Sequence, residues 1–456
     1  MSTRTAQIGF YGGVGSVTGA NFLLEAGTCR VLIDCGLVQG GRFGERKNAE
    51  AFAYDPASVG TLVVTHAHAD HIGRIPKLVR DGFSGVIYST APTRDLAEVM
   101  LADAYRVMVS EAKKHGEEPI FEQADVDRAL SLWKGVVYKE EVALTDGVSF
   151  RLHDAGHILG SAFIEFERDG RKIVFSGDIG NVPQPLLDAP DVPSGYHYLV
   201  MESVYGDRSH EEVAERRDML LGYIKDTIES KGTLIIPAFS LERTQGMLFE
   251  INNFVEQGLI PPVPTYLDSP LAIEVTGIYR KHTAYLKKEV QEQIRKGDDI
   301  FDFPKLSFTE RVADSRDIAR VQGPKIIIAG SGMSHGGRIN AHEKEYLDDT
   351  NTTLLLVGFQ AVGSIGRLLQ DGAKRVQIDG VDVKVRARIA TIRGYSGHAD
   401  REGLIDFVEH GGEQIEKVFV TMGEEKASLF LVQRLRDYLG VDAVAPEEGS
   451  VVEIKF

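Results

Sequence analysis

Val63-Val64-Thr65-His66-Ala67-His68-Ala69-Asp70-His71-Ile72-Gly73 places four side chains able to bind a metal within six positions. An apolar, β-branched strand signal runs directly into them. Three imidazoles and a carboxylate held this close, just past a strand end, seldom all find structural partners. As a set they suit zinc, which takes His nitrogen and carboxylate oxygen. In an extended loop, positions two apart project to one side, so His66 and His68 can grip one ion. Asp70 and His71 turn toward a neighbouring point, where a second ion could sit. The bland alternative is a His-rich surface loop, and ligands that recur downstream count against it.

Two later segments supply what this loop lacks. Ala155-Gly156-His157-Ile158-Leu159-Gly160-Ser161-Ala162 places His157 among small residues in a turn. Lys172-Ile173-Val174-Phe175-Ser176-Gly177-Asp178-Ile179-Gly180 is an apolar strand ending in an Asp flanked by glycines. A single His or Asp of this kind is usually structural. Here they offer a third nitrogen for one ion and a carboxylate able to bridge two. His66, His68, His157, Asp70, His71 and Asp178 then make two adjoining sites with nothing redundant.

Strand ends must position these residues. The first third of the chain reads as short strands and glycine turns, and Arg30-Val31-Leu32-Ile33 leads into Asp34-Cys35-Gly36. Alone, Asp34 reads as a turn former. Its functional alternative is a carboxylate that orients a metal-binding His through the other ring nitrogen. Thr93 to about His115 carries Leu96, Val99, Met100, Ala104, Val107 and Met108 at helical spacing, with the methionines as core filling. Val148 to His153 resumes strand character. Further on, Ile326-Ile327-Ile328-Ala329 reads as a buried strand running into Gly330-Ser331-Gly332. Such a glycine cluster alone is a flexible turn. Beside a metal pair and Arg338, cradling of a phosphate by close backbone N–H groups is the better reading. In Lys384-Val385-Arg386-Ala387-Arg388-Ile389, basic and apolar residues alternate at strand period. This predicts one buried face and one cationic face, either solvated or following a nucleic-acid backbone.

The 456 residues predict two or three compact units, or one domain with a large insertion. A 43% apolar and 26% charged composition is ordinary for a soluble globular protein. No stretch approaches the ~18 unbroken apolar residues of a membrane span, and the N-terminus lacks a signal-peptide core. Cys29 and Cys35 cannot form a disulfide framework, and they read as buried thiols in a reducing compartment. A cytoplasmic protein with no membrane association is the expectation. The net charge of −16 argues against polyanion binding over the whole surface. It leaves room for a local nucleic-acid site, because divalent cations and a basic groove reverse the field locally.

In order along the chain, Asp34, His66-x-His68-x-Asp70-His71, His157 and Asp178 resemble the motifs of metallo-β-lactamase-fold hydrolases. The likeness continues past them. Val200-Met201-Glu202-Ser203-Val204-Tyr205-Gly206-Asp207-Arg208 resembles motif A of the β-CASP branch, the nucleic-acid-processing group of that superfamily. Gly394-Tyr395-Ser396-Gly397-His398-Ala399-Asp400 resembles its motif B. Leu234 to Gln245, Tyr266-Leu267-Asp268-Ser269-Pro270 and Gly330 to Arg338 are similar to β-CASP segments of bacterial and archaeal ribonucleases related to the pre-mRNA 3′-end cleavage endonuclease.

The resemblance implies an α/β protein, an αββα metallo-β-lactamase sandwich with an inserted α/β β-CASP domain and a cleft between the two. The metallo-β-lactamase domain would comprise 1–207 and 376–456, and the β-CASP domain 208–375. It implies zinc-dependent hydrolysis of RNA phosphodiester bonds, as an endonuclease, a 5′-exonuclease or both, in RNA processing. His66, His68 and His157 would hold one ion, Asp70 and His71 the second, and Asp178 would bridge them, with Mn2+ as an alternative metal. His398, oriented by Glu202, would contact the phosphate and protonate the leaving oxygen. Ser331, Gly332, Gly336, Gly337, Arg338, Asp268 and Ser269 would bind phosphate or substrate. His335 and His342 would be surface or cradle residues. Single-stranded RNA is the expected partner, and a homodimer matches the habit of relatives.

One position departs. Val418-Phe419-Val420-Thr421-Met422-Gly423-Glu424 aligns with motif C, where RNA-processing members carry a His that binds the second metal. A neutral thioether at Met422 is a poorer zinc ligand, so a weaker second site is expected. DNA-processing relatives carry Val there. The competing readings are therefore a catalytically weak RNA-binding subunit, a DNA nuclease, and a small-molecule hydrolase of the same superfamily.

Overall fold

The structure, a computed structural model, describes residues 4–39, 41–210, 213–361 and 363–456. The chain divides into two compact units. The first comprises 1–182, 189–209 and 398–456, and the second 183–188 and 210–397.

The first unit contains two seven-stranded sheets. One runs Val451–Lys455, Thr5–Gly12, Asn21–Ala26, Cys29–Ile33, Thr61–Val63, Val86–Ser89 and Trp133–Gly135. The other runs Ala443–Val444, Lys417–Val420, Tyr198–Met201, Arg171–Phe175, Ala162–Arg168, Ser149–Asp154 and Val142–Ala143. Each is part antiparallel and part parallel. Apolar side chains of the facing surfaces interdigitate. Ile8, Phe10, Phe22, Leu24 and Ile33 pack against Phe150, Leu152, Phe166, Phe175 and Phe419. Phe10 and Phe419 lie 5.2 Å apart between ring centroids, and Phe22 and Phe175 6.3 Å. The second sheet's other face, with Val174, Leu199 and Val420, is covered by Leu404, Phe407 and Val408 of helix Arg401–Glu409 and by Leu431 and Val432 of Glu425–Arg434. Helix Ala91–His115 packs beside Trp133–Gly135 of the first sheet. Thr90 caps it by accepting a hydrogen bond from the Thr93 N–H. Leu96 is buried there as expected, and so is Leu101. Met100 and Met108 are only half-buried and Val107 is exposed, so the methionines of this helix border the core rather than fill it.

The second unit is built on a six-stranded, all-parallel sheet ordered Leu306–Phe308, Thr265–Asp268, Lys325–Ala329, Thr233–Pro237, Thr352–Leu356 and Arg388–Thr391. Its central strands, Thr-Leu-Ile-Ile-Pro and Lys-Ile-Ile-Ile-Ala, are buried at every position, which parallel strands covered on both faces require. Residues 376–397, expected in the first unit, belong here because Arg388–Thr391 completes this sheet by pairing with Thr352–Leu356. Pro183–Asp188 also packs with the second unit, with Leu186 O accepting from Lys287 N at 2.9 Å. The run Lys384 to Ile389 spans two strands rather than one. Val381–Lys384 ends a hairpin with Arg375–Ile378, and a new strand starts at Arg388. The cations are exposed as expected, but Arg388 pairs with Asp226 at 2.9 Å and Arg386 with Asp348 at 3.7 Å. That face is largely neutralised.

Glu343, on helix Ile339–Tyr346, is fully buried and both carboxylate oxygens lack a hydrogen-bond partner. Burial pushes its carboxyl up to about 8, against a pull in the other direction from the Ser334 hydroxyl. The folded state therefore binds a proton that the unfolded state releases near 4.5. Its contribution to stability is complete below that value and lost as pH rises through about 8. Glu343→Gln should match the wild type in thermal unfolding near pH ~5 and exceed it near pH ~9. An equal difference at both pH values would contradict this.

Candidate metal centre

Four strand ends of the first unit and one backbone bridge deliver the candidate residues. Strand Thr61–Val63 runs into Thr65, His66 and His68, and the single-turn helix Ala69–Ile72 turns Asp70 and His71 back toward them. His157 lies in the loop between Ser149–Asp154 and Ala162–Arg168. Asp178 follows Arg171–Phe175, and Glu202 follows Tyr198–Met201. An isolated bridge to Gly180 brings His398 alongside.

His66 Nε2 lies 3.0 Å from His68 Nδ1, which lies 3.2 Å from His157 Nε2. Asp178 Oδ2 is 3.3 Å from His66 Nε2 and 3.5 Å from His157 Nε2. These four ligand atoms lie within 4.8 Å of one another, a group that could hold a metal ion. The other oxygen, Asp178 Oδ1, is 3.3 Å from His71 Nε2, which is 4.0 Å from Asp70 Oδ2. One carboxylate thus faces two adjoining positions.

The donor set fits divalent cations. His71 Nε2 and Asp178 Oδ1 are buried and face each other at 3.3 Å, an arrangement that a shared cation suits. Burial lowers the pKa of His66, and takes those of His68 and His157 well below the ordinary value, which leaves neutral imidazoles ready to ligate. Burial alone would raise Asp178, but the His71, His66 and His398 imidazoles hold it well below the usual carboxylate range. Asp34 Oδ2 accepts from His71 Nδ1 at 2.7 Å, which aims Nε2 at the site. Asp34 thus both holds the His71 ring and, with a φ of 57°, turns the chain.

Three supporting residues went unread in the sequence. Thr65 anchors Asp34 with its N–H at 2.8 Å and its hydroxyl at 2.7 Å. Gly36 passes so close to the short helix that a Cβ would fall 1.5 Å from the Asp70 carbonyl oxygen. At Gly180 a Cβ would meet the Gly156 carbonyl oxygen at 2.0 Å. The only local sign of such approaches was a glycine beside a strand-end Asp.

His398 Nδ1 is 3.2 Å from Glu202 Oε2 and 3.8 Å from Asp178 Oδ2. Glu202 is fully buried and accepts at 2.6 Å from the Ile179 N–H. Burial would lower the His398 pKa, but the Glu202 and Asp178 carboxylates outweigh it and raise it to about 9. Met422 is buried with φ 43° and lines a small void together with Asp34, His71 and Glu202.

In the second unit two of the expected substrate residues, Asp268 and Arg338, are bonded to each other. Asp268 accepts from Arg338 at 2.5 Å, Thr309 at 2.6 Å, Ser315 at 2.5 Å and His342 Nε2 at 2.7 Å. Arg338 also donates to the carbonyls of Thr309 and Glu310. His342 is buried in this knot, so it is not a surface residue. His335 is exposed. Ser269 caps helix Pro270–Lys281 by accepting from the Ala272 N–H. Ser331 Oγ donates to the His335 carbonyl and accepts from its N–H. Gly332 touches Phe239, where a Cβ would lie 2.8 Å from the Phe239 nitrogen, while Gly336 and Gly337 hold φ of 74° and 71°. The charge of Arg338 is balanced locally by Asp268.

Two mixed sheets between helices, with His and Asp side chains converging at their strand ends, define a metal-dependent hydrolase of the metallo-β-lactamase superfamily. Residues 23–196 match the family model for the metallo-beta-lactamase superfamily domain, 244–369 the Beta-Casp domain, and 382–446 the Zn-dependent metallo-hydrolase RNA specificity domain. The chain is 37% identical over 421 residues to Ribonuclease TTHA0252 of Thermus thermophilus, covering 92% of this chain and 94% of that protein. It is 31% identical to the RNase J-like protein of Methanocaldococcus jannaschii, covering 98% and 99%. To the transcription termination factor FttA of Methanosarcina mazei it is 32% identical, covering 95% of this chain and 69% of that one. A crystal structure of a protein of unknown function from Enterococcus faecalis shares the fold at a TM-score of 0.57 and 11% identity, covering 99% and 100%. The chain belongs to the β-CASP ribonuclease family. No helix among the described residues is long and apolar enough to cross a membrane.

Proposed function

We propose that this protein hydrolyses phosphodiester bonds of single-stranded RNA, with zinc ions as the metal. His66, His68, His157 and Asp178 would hold one ion, and Asp70, His71 and Asp178 the other. The observation that carries this is the Asp178 carboxylate, whose two oxygens face two separate sets of nitrogen and oxygen donors. When bound, such ions lower the pKa of water toward ~7 and polarise a phosphoryl oxygen. The chain's own residues do the rest. Asp34 and Thr65 fix the ring of His71. Glu202 holds the His398 ring and favours its protonated form, so that it can give a proton to the departing oxygen of the cleaved strand. The match to an RNA specificity domain and the names of the relatives support RNA over a small acyl substrate. Incubation of purified protein with end-labelled single-stranded RNA, with zinc and then with a chelator, tests the reading. Cleavage that the chelator stops and His68→Ala abolishes is expected. An intact RNA with fully metal-loaded protein would overturn it.

The second position is the weaker one, because it has two ligand side chains of its own against three at the first. Met422 sits beside His71 and contributes no strong donor. Its positive φ is also a conformation that His adopts more readily than Met. Met422→His should therefore tighten the second zinc by at least about tenfold in a calorimetric titration, the gain of one added imidazole ligand. Unchanged affinity would show that position 422 is not where the missing ligand belongs.

A further inference from the structure

The metal centre and the buried knots of the second unit leave one surface feature without a role. It starts at His398. The Tyr205 ring lies 6.3 Å from the His398 ring, and the Arg208 guanidinium sits 5.7 Å over Tyr205. Arg401 N donates to Arg208 O at 3.0 Å, so the next cation is placed directly alongside. The Arg401 guanidinium lies 6.0 Å over Phe430, and Arg434 covers the same ring at 5.0 Å. Arg434 is also 5.2 Å over Tyr438 and donates to its hydroxyl at 2.6 Å. Tyr438 is 67% exposed, and Leu429 on the same helix is 52% exposed. All of these residues belong to the first unit.

We infer that Arg208, Arg401, Phe430, Arg434 and Tyr438 form a track that binds single-stranded RNA where it extends away from His398. The inference rests on the RNA reading above and names a further stretch of binding surface for it. Guanidinium groups alternating with aromatic rings match the two faces of such a strand, anionic phosphates and stackable bases. Asp207 balances Arg208 and Glu402 balances Arg401. Among the described residues no carboxylate pairs with Arg434, so its charge is available to a phosphate. Two of the three guanidiniums are balanced locally, so Arg434 and the aromatic rings are the groups left to meet the strand. The helix Glu425–Arg434 widens into a π turn over Leu435–Leu439, an irregularity that recurs at functional sites. Continuity with His398 selects RNA over a protein partner, since the track begins at the residue that meets the phosphodiester.

The test compares oligouridines of about 4 and about 16 nucleotides, 2′-O-methylated and checked by gel for integrity, in fluorescence anisotropy. The wild type should bind the longer probe at least about tenfold more tightly, the scale of one or two stacked bases. The Arg434→Ala/Tyr438→Ala double variant should lose most of that length advantage, with unchanged thermal unfolding. Tyr438→Phe should retain it, because stacking needs only the ring. A double variant that cleaves RNA and keeps the length advantage overturns the track alone. A wild type that neither binds nor cleaves RNA overturns both the track and the proposed function. A shift from dimer to monomer in sedimentation, with RNA affinity unchanged, would make this face a contact between copies and overturn the inference as well.

Discussion

His398→Ala is expected to lower the rate of RNA cleavage by about 10²–10⁴-fold, the usual contribution of a positioned proton donor. Its metal content should stay at the wild-type level. His398 Nδ1 is closest to Glu202 at 3.2 Å and stands 3.8 Å from Asp178, outside the group His66, His68, His157 and Asp178. With Asp178 and Glu202 it makes a second set of ligand atoms within 4.8 Å of one another, so the metal content of the variant is the readout that tells a proton donor from a ligand. The ring is held by its carboxylate neighbour and by the bridge of its backbone to Gly180. Glu202 acts through His398, so Glu202→Gln should cost less than His398→Ala while moving the rate in the same direction. Rates under saturating RNA, together with metal analysis of the same samples, decide the matter. A His398→Ala protein within a few fold of the wild type would remove His398 from the chemistry. Loss of metal in that variant would make it a ligand instead.

Asp178→Asn carries the other large effect. The substitution keeps the shape of the side chain but removes the negative charge shared by both positions. His71 Nε2 would then face an amide in place of Asp178 Oδ1, and the second position would keep only Asp70 as an anionic donor. The second ion should be lost outright and the first weakened, with cleavage falling to background. Elemental analysis after gel filtration reads the metal directly. A variant that keeps two ions per chain would show that Asp178 does not bridge. The protein should remain folded, because Asp178 makes its contacts with the site and lies outside the Phe10, Phe22, Phe175 and Phe419 packing of the sandwich.

The metal loop was legible because its information is local. Two residues of spacing put His66 and His68 on one side of an extended chain, and Asp70 and His71 follow them directly in the short helix that turns back. His157 and Asp178 were legible as the third nitrogen and the shared carboxylate that the loop lacks, whereas the roles of Glu202 and His398 came only from the family resemblance. What stayed hidden depends on contacts between distant segments. No spacing reveals that His68 presents Nδ1 while His66 and His157 present Nε2. None reveals that Gly36 must pass against the Asp70 carbonyl. Nor does spacing reveal that Arg338 pairs with Asp268, 70 residues away in sequence. The family resemblance implies a return to the first unit at 376, and nothing in the local sequence of the hairpin Arg375–Lys384 corrects it. Only the pairing of Arg388–Thr391 with Thr352–Leu356 moves it to 398.

Cleavage of end-labelled RNA, measured against equivalents of zinc added to metal-free protein, puts the account to its most direct trial. Little turnover is expected while the first, three-histidine position fills, followed by a rise as the weaker Asp70–His71 position fills, with a plateau at two equivalents. Full activity at one equivalent, or none after both have bound, would contradict a reaction that needs a metal on each side of Asp178.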